Sequence, residues 1–206
     1  MYTLYGCLGT GSVCGQAILA FVRAEHKVIM LNVESGEHLQ SNYLAMNPRG
    51  QVPWLVISDG RVISESIAIA LHLADSFPDS NLIGQLGSLD RASTYKWLAF
   101  LATNIYEGVL RIAHSERFTT ADPLGVKTQA QSDINRWWSI IEQSFRGKKL
   151  LIGEHINVAD IYMTMLATWC IDNNKLQSDY PHLSAAISIV LNETSIHNVF
   201  STNNLI

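Results

Sequence analysis

A glycine-rich turn with two hydroxyl side chains precedes the first long apolar segment of the sequence. It reads Gly9-Thr10-Gly11-Ser12, and a helix is predicted directly after it. Glycines let backbone N–H groups approach a ligand closely, and the hydroxyls of Thr10 and Ser12 add donors near a helix N-terminus. Such a corner stabilises an anion such as a thiolate. Lowering a thiol pKa by about 2 units requires about 2.7 kcal/mol, which one charge-assisted hydrogen bond and the helix dipole supply together.

Cys14 offers a different chemistry in the same region. A cysteine early in a helix can have a depressed pKa and act as a nucleophile. However, Cys14 shares one apolar face with Val13, Ala17, Ile18 and Phe21. This pattern predicts that Cys14 lies in the core.

Glu65 and Ser66 begin a predicted helix immediately after a strand. A helix N-terminus presents free N–H groups and the positive end of the helix dipole. The hydroxyl of Ser66 adds a further donor, so this corner suits a carboxylate, whereas the charge of Glu65 suits an ammonium group. The pair therefore matches the head group of an α-amino acid, which carries both charges. A simple helix cap is the alternative interpretation.

Pro53 lies directly before a predicted strand, in the sequence Gln51-Val52-Pro53. Proline has no N–H and forces the preceding residue into an extended conformation. If the Val52–Pro53 bond is cis, the N–H and C=O of Val52 can pair with an extended peptide-like ligand, strand to strand. An ordinary proline at the start of a strand is the alternative.

Two regions with different patterns must position these residues. Residues 1–78 alternate strand and helix signals in the order β-α-β-α-β-β-α, and Asp59-Gly60 marks a hairpin between the last two strands. Residues 79–87 are predicted to form a linker, and residues 88–206 an all-α domain. Asn157 and Asp160 predict a capping box for its most apolar helix, at 158–170.

The composition excludes several classes of function. The 206 residues include 14 Lys and Arg and 18 Asp and Glu, a formal net charge of −4, so a nucleic-acid partner is not expected. No apolar run approaches the ~20 residues of a membrane span, and no signal peptide is visible. Three cysteines favour a reducing cytoplasm over a disulfide scaffold. The seven histidines lack metal-ligand spacing, so no metal is expected.

Three motifs together resemble the glutathione transferase family. They are, in chain order, Asn47-Pro48-Arg49-Gly50-Gln51-Val52-Pro53, Glu65-Ser66-Ile67-Ala68-Ile69, and Asn157-Val158-Ala159-Asp160 with Trp169. The resemblance covers nearly the whole chain. It implies a thioredoxin-like α/β domain at residues 1–78, an all-α domain at residues 88–206 that contributes the second-substrate pocket, a homodimer, and glutathione as co-substrate.

The resemblance also implies roles for the residues of the first domain. The backbone of Val52 would pair with the cysteinyl part of glutathione, next to a cis Pro53. Glu65 and Ser66 would hold the γ-glutamyl ammonium and carboxylate groups. Two further residues are candidates for the glycyl end, namely Gln51 and His38.

The segment 97–106 resembles the bacterial beta-type transferases, so Tyr106 would line the pocket for the second substrate. Those enzymes place a cysteine at the start of the first helix, where this chain has a longer window that includes Thr10, Ser12 and Cys14. We predict Ser12 as the donor to the glutathione sulfur, with Thr10 second and Cys14 third.

The leading hypothesis is an enzyme of detoxification that activates glutathione as a thiolate and conjugates it to a small apolar electrophile. The alternatives are a glutathione-dependent reductase or peroxidase that uses Cys14, an isomerase that uses glutathione catalytically, and a non-catalytic binding or regulatory protein. The joint presence of Val52, Pro53, Glu65 and Ser66 favours an enzyme, because an interaction protein has no physical need for an intact head-group site.

Overall fold

The computed structural model describes residues 1–206, apart from the side chain of Asn173. The chain forms two units, one made of Met1–Ile83 together with Leu191–Ile206, and the other of Gly84–Val190. We predicted residues 88–206 as one C-terminal domain, whereas the structure groups the final segment with the first unit. The reason is the packing of the last helix against the first one.

A four-stranded mixed sheet forms the centre of the first unit. Its strands are β1 (Tyr2–Gly6), β2 (His26–Met30), β3 (Trp54–Val56) and β4 (Val62–Ser64), in the spatial order β2-β1-β3-β4. β1 runs parallel to β2, while β3 runs antiparallel to both β1 and β4. The register places Leu4 opposite both Val28 and Leu55. Leu4, the central residue of β1, is fully buried.

The helices of this unit alternate with the strands. They are α1 (Ser12–Phe21), α2 (Ser41–Leu44), α3 (Ser66–Ser76) and, at the end of the chain, α10 (Thr194–Thr202). The element order confirms the predicted β-α-β-α-β-β-α pattern and the thioredoxin-like fold class. α1 is buried from Ser12 to Leu19, as its almost continuous apolar character requires.

The second unit is helical throughout its regular elements. Its helices are α4 (Leu89–Phe100), α5 (Glu107–Ala113), α6 (Pro123–Ser144), α7 (Val158–Cys170), α8 (Asn173–Asp179) and α9 (Pro181–Leu191). A π-helical segment, Leu101–Tyr106, joins α4 to α5. π-helical segments often occur at functional sites, and Tyr106 is the last residue of this one.

The predicted capping box at the start of α7 is confirmed. The side chain of Asn157 accepts a hydrogen bond from the Ala159 N–H at 3.0 Å, and the carboxylate of Asp160 accepts one from the Asn157 N–H at 2.9 Å. The other oxygen of Asp160 accepts from the Leu151 N–H, also at 2.9 Å. Asp160 thus joins the helix start to the loop before it.

Candidate functional site

The pairing of β3 with its two neighbours gathers the three candidate corners at one end of the sheet. Tyr5 lies opposite Trp54, so the turn after β1 lies at the same end as Val52 and Pro53, which precede β3. Trp54 also lies opposite Ser64, so the chain leaves β4 for α3 at this end too. The sheet therefore brings together the Gly9–Ser12 turn, the Val52 backbone and the Glu65-Ser66 corner.

The two hydroxyls of the first corner have different environments. Ser12 is 0% exposed; its Oγ lies 3.1 Å from the Cys7 carbonyl oxygen and accepts a hydrogen bond from Gln16 Nε2 at 3.2 Å. Thr10 is half-buried, and its hydroxyl donates to the same Cys7 carbonyl at 2.8 Å. The full burial of Ser12 argues against our prediction of it as the sulfur donor, because a ligand cannot reach a hydroxyl that is enclosed. The Thr10 hydroxyl is bonded as well, since it lies 3.1 Å from Ser12 Oγ and accepts from the Ser12 N–H at 3.5 Å, but Thr10 is the more exposed of the two residues.

A residue that directly follows the last helix forms hydrogen bonds with this turn and with α1, and it was not predicted from the sequence. Asn203, which follows α10, donates from Nδ2 to Gln16 Oε1 at 3.0 Å and accepts from the Gly9 N–H at 3.4 Å. Gln16 in turn bonds Ser12. No sequence pattern indicated Asn203, because its partners lie almost two hundred residues away.

Gly6 allows the end of β1 to approach the start of α1. A Cβ on Gly6 would lie 2.5 Å from Ser12 Oγ and 2.6 Å from Ser12 Cβ. We expect Gly6→Ala to destabilise the fold by about 1–3 kcal/mol, because overpacking forces a backbone shift. Chemical denaturation measures this change. Gly60→Ala is a reference for backbone strain without overlap: Gly60 has open space around it, but its positive φ strains an alanine by about 1 kcal/mol. The proposed contact is wrong if Gly6→Ala loses no stability.

Glu65 has an unusual backbone conformation at the second corner. Its φ is +68° and its ψ +117°, which a non-glycine residue adopts at a cost of about 1–3 kcal/mol. Its carboxylate forms an ion pair with Arg49, and Ser66 begins α3 directly after it. Arg49 was predicted only as part of a motif, although its charge is opposite to that of Glu65 and was the available signal for this ion pair.

The Val52–Pro53 peptide bond is cis, as expected. Val52 precedes β3, and within the described residues neither its N–H nor its C=O has a protein hydrogen-bond partner. Val52 is half-buried and Gln51 is exposed. The corner therefore presents one backbone donor and one backbone acceptor without a protein partner, which strand-like pairing with a ligand requires.

Known proteins share this sequence and architecture. Residues 1–75 match the family described as glutathione S-transferase, N-terminal domain. Glutathione S-transferase GstA of Escherichia coli O157:H7 is 25% identical over 164 residues, which are 80% of this chain and 79% of that protein. The crystal structure of the glutathione transferase URE2P6 from Phanerochaete chrysosporium, in complex with oxidized glutathione, has a TM-score of 0.87 and 19% identity over 98% of this chain and 96% of that one. The first 75 residues of this chain belong to the glutathione S-transferase N-terminal domain family.

Another relative is the uncharacterized GST-like protein YncG of Escherichia coli strain K12. It is 23% identical over 100% of both chains. Membership of that family accounts for the fold of the first unit and for its two motifs, while the chemistry of this chain depends on its own site residues.

The three cysteines of this chain are all free. Cys14 is 0% exposed, and burial raises its thiol pKa far above the ordinary value, which confirms the predicted core position. The alternative of a reductase with Cys14 as nucleophile is therefore not supported, because a thiolate must form and reach its substrate. Burial also raises the pKa of Cys170 to about 12. Cys7 is half-buried, just after β1.

His38 lies in a short 3₁₀ turn, Glu37–Leu39, beside the Gly50 backbone. A Cβ on Gly50 would lie 3.2 Å from the His38 carbonyl oxygen, and Gln51 follows Gly50 directly. Nδ1 of His38 is buried and has no hydrogen-bond partner within the described residues. The structure thus places both candidates for the glycyl end in adjoining segments.

Tyr106 is half-buried in an aromatic cluster of the helical unit. Its ring centroid lies 5.3 Å from that of Trp169 and 6.5 Å from that of Tyr162. The indole N–H of Trp169 is buried and lacks a hydrogen-bond partner within the part of the chain that the structure describes.

The described residues contain no group of three or more His, Cys, Asp or Glu side chains placed to hold a metal ion. None of their helices is both long and apolar enough to cross a membrane.

Proposed function

We propose that this protein binds glutathione, activates its thiol as a thiolate, and conjugates it to a small apolar electrophile. The observation that carries this proposal is the convergence of three complementary corners at one end of the sheet. Glutathione has an α-amino acid head, followed by a cysteinyl residue that carries the thiol on its side chain. The corners offer a charged helix start, an unpaired Val52 backbone and the hydroxyl of the half-buried Thr10.

The proposed donor to the sulfur is the Thr10 hydroxyl. The Cys7 carbonyl, to which it donates, also accepts from the Thr10 N–H at 3.3 Å and lies 3.1 Å from Ser12 Oγ. The hydroxyl of Thr10 can therefore turn to a ligand while the carbonyl keeps hydrogen bonds. A charge-assisted bond of this kind contributes about 1.5–3 kcal/mol, which is the amount needed to lower a thiol pKa by 1–2 units.

The proposed site for the γ-glutamyl head is the start of α3. Ser66 and the N–H groups of the first helical turn favour the carboxylate, and Glu65 attracts the ammonium group. In this proposal the ammonium group shares Glu65 with Arg49. His38 and the exposed Gln51 are the proposed contacts for the glycyl end, because they lie in adjoining segments next to the Val52 backbone.

The proposed contacts for the electrophile come from Tyr106 and Trp169. Aromatic rings offer a large apolar surface, and the ring centroids of these two residues lie 5.3 Å apart. We also propose a homodimer, as the family resemblance implies, and a cytoplasmic location, because three free cysteines support a reducing compartment.

Titration calorimetry with glutathione tests the proposal, with the ultraviolet absorbance of the thiolate followed from pH 5 to 9 in the same samples. We expect saturable binding and a bound thiol pKa well below the ordinary value of about 8.5. Binding without a lowered thiol pKa would indicate a binding protein instead of a transferase. The absence of binding would contradict the proposal.

The head-group assignment has its own test. We expect Ser66→Ala and Glu65→Gln each to weaken glutathione binding about tenfold, because each removes a charge-assisted hydrogen bond at a partly exposed site. Calorimetry measures the change. The control is Ser76→Ala at the other end of α3, where the hydroxyl only donates to the His72 carbonyl. Unchanged affinity in both site variants would remove these residues from the site.

A further inference from the structure

The carbonyl of Gln51 receives two hydrogen bonds from buried side chains. The Tyr43 hydroxyl donates to it at 2.8 Å, and Asn47 Nδ2 donates to it at 2.6 Å. Tyr43 is 3% exposed and Asn47 is 4% exposed. A carbonyl oxygen has two lone pairs, so these two donors saturate it.

The same peptide group carries the free N–H of Val52. The Gln51–Val52 bond is trans, since the one cis bond in the described chain follows Val52. In a trans peptide the C=O and the N–H of one planar unit point in opposite directions. Two donors that hold the Gln51 oxygen on the buried side therefore fix the Val52 N–H on the opposite side, where it has no protein partner.

Rigid neighbours hold both donors in place. The Tyr43 ring packs edge-on against Trp54, with centroids 5.3 Å apart. Asn47 starts a tight turn in which the Gly50 N–H donates to the Asn47 carbonyl at 3.0 Å, and the chain leaves this turn through Gly50, whose φ of +56° favours glycine. Burial raises the pKa of the Tyr43 hydroxyl, so it remains a protonated donor.

We propose that Tyr43 and Asn47 are positioning residues for glutathione, which orient the Gln51–Val52 peptide so that the Val52 N–H points at the cysteinyl carbonyl of the ligand. This inference rests on the proposed glutathione site and extends it to two residues that do not touch the ligand. The two hydrogen bonds to the Gln51 carbonyl would then serve glutathione recognition as well as the stability of the loop.

Three ligands separate positioning from a general structural role. Glutathione and γ-glutamylcysteine both have a cysteinyl carbonyl oxygen, whereas γ-glutamylcysteamine lacks it. We expect Tyr43→Phe and Asn47→Ala to weaken the binding of the first two ligands about fivefold, the effect of one neutral hydrogen bond. The binding of γ-glutamylcysteamine should not change. An equal loss for all three ligands, or no loss for any, would overturn the inference.

The control is Tyr2→Phe, which makes the same chemical change on β1, where Tyr2 contacts His72 and Phe77. All three ligands should bind this variant as they bind the parent protein. Thermal unfolding of each variant identifies any that fails to fold, and Tyr43→Phe, which removes one oxygen atom, is the more conservative of the two.

A second measurement does not need a ligand. In the free parent protein we expect the ¹⁵N order parameter of the Val52 amide to be close to the ~0.85 of a rigid backbone, and to fall below about 0.6 in the Tyr43→Phe/Asn47→Ala double variant. A rigid Val52 amide in that folded variant would overturn the inference. If the parent binds no glutathione but the order parameter falls as expected, the proposed function fails while the positioning of the peptide stands.

Discussion

Replacement of Thr10 by valine is expected to lower kcat/KM for glutathione conjugation about 10- to 100-fold near pH 6.5. The change removes the hydroxyl but keeps the shape of the side chain. The loss corresponds to one charge-assisted hydrogen bond of about 1.5–3 kcal/mol to the thiolate. The pKa of bound glutathione should rise towards its free value, which the thiolate absorbance reports. Raising the assay pH should recover part of the lost activity, because more thiolate then forms without help.

Two matched variants make this result specific. Thr10→Ser keeps a hydroxyl and should keep most of the activity. Ser12→Ala removes the hydroxyl that is enclosed between Cys7 and Gln16; it should lower stability but leave the bound thiol pKa unchanged. The reverse pattern, in which Ser12→Ala raises the thiol pKa and Thr10→Val does not, would restore Ser12 as the donor and contradict our assignment.

Removal of the Asp160 carboxylate is expected to cost about 3 kcal/mol of stability in Asp160→Ala. Two buried backbone donors, the N–H groups of Leu151 and Asn157, then lose their acceptor, at about 1–3 kcal/mol each. For a chain of this length, the melting temperature should fall by about 6–12 °C. Calorimetric or circular-dichroism melting measures the change.

The stability of the parent protein should also depend on the ionisation of Asp160. Burial raises its pKa to about 7, although the two N–H donors act in the opposite direction. In the unfolded chain the pKa is about 3.9, so the folded state binds the extra proton between pH 4 and 7. Stability therefore falls as the pH rises through this range, by up to about 1.4 kcal/mol per pH unit.

Asp160→Asn should remove this pH dependence, because an amide does not titrate. The control is Asp122→Ala, which removes the exposed cap of α6, where Asp122 accepts from the Gly125 N–H at 2.9 Å. It should cost about 1 kcal/mol and keep the slope of the parent. A slope that persists in Asp160→Asn would show that another group causes it.

The placement of individual side chains could be predicted only where local chemistry decides it. The capping box of Asn157 and Asp160 and the hairpin at Asp59-Gly60 depend on residues a few positions apart, so their spacing was informative. Cys14 was also predicted correctly, because an apolar face on a helix implies burial. Ser12 and Thr10 lie two residues apart in one polar turn, and no local rule predicts that Ser12 is fully buried and Thr10 only half-buried.

The sequence by itself determined the order of strands and helices, the two-part architecture and the motifs that mark the family. Apolar periodicity, turn residues and helix caps act over short distances and are visible in any stretch of chain. Only the tertiary structure decided which groups meet across long distances. It placed the last helix on the first unit, closed the Ser12 hydroxyl with Gln16, paired Arg49 with Glu65, and brought Tyr43 and Asn47 to the Gln51 carbonyl. These contacts depend on how elements pack after they form, and that packing leaves no periodic signal in the sequence.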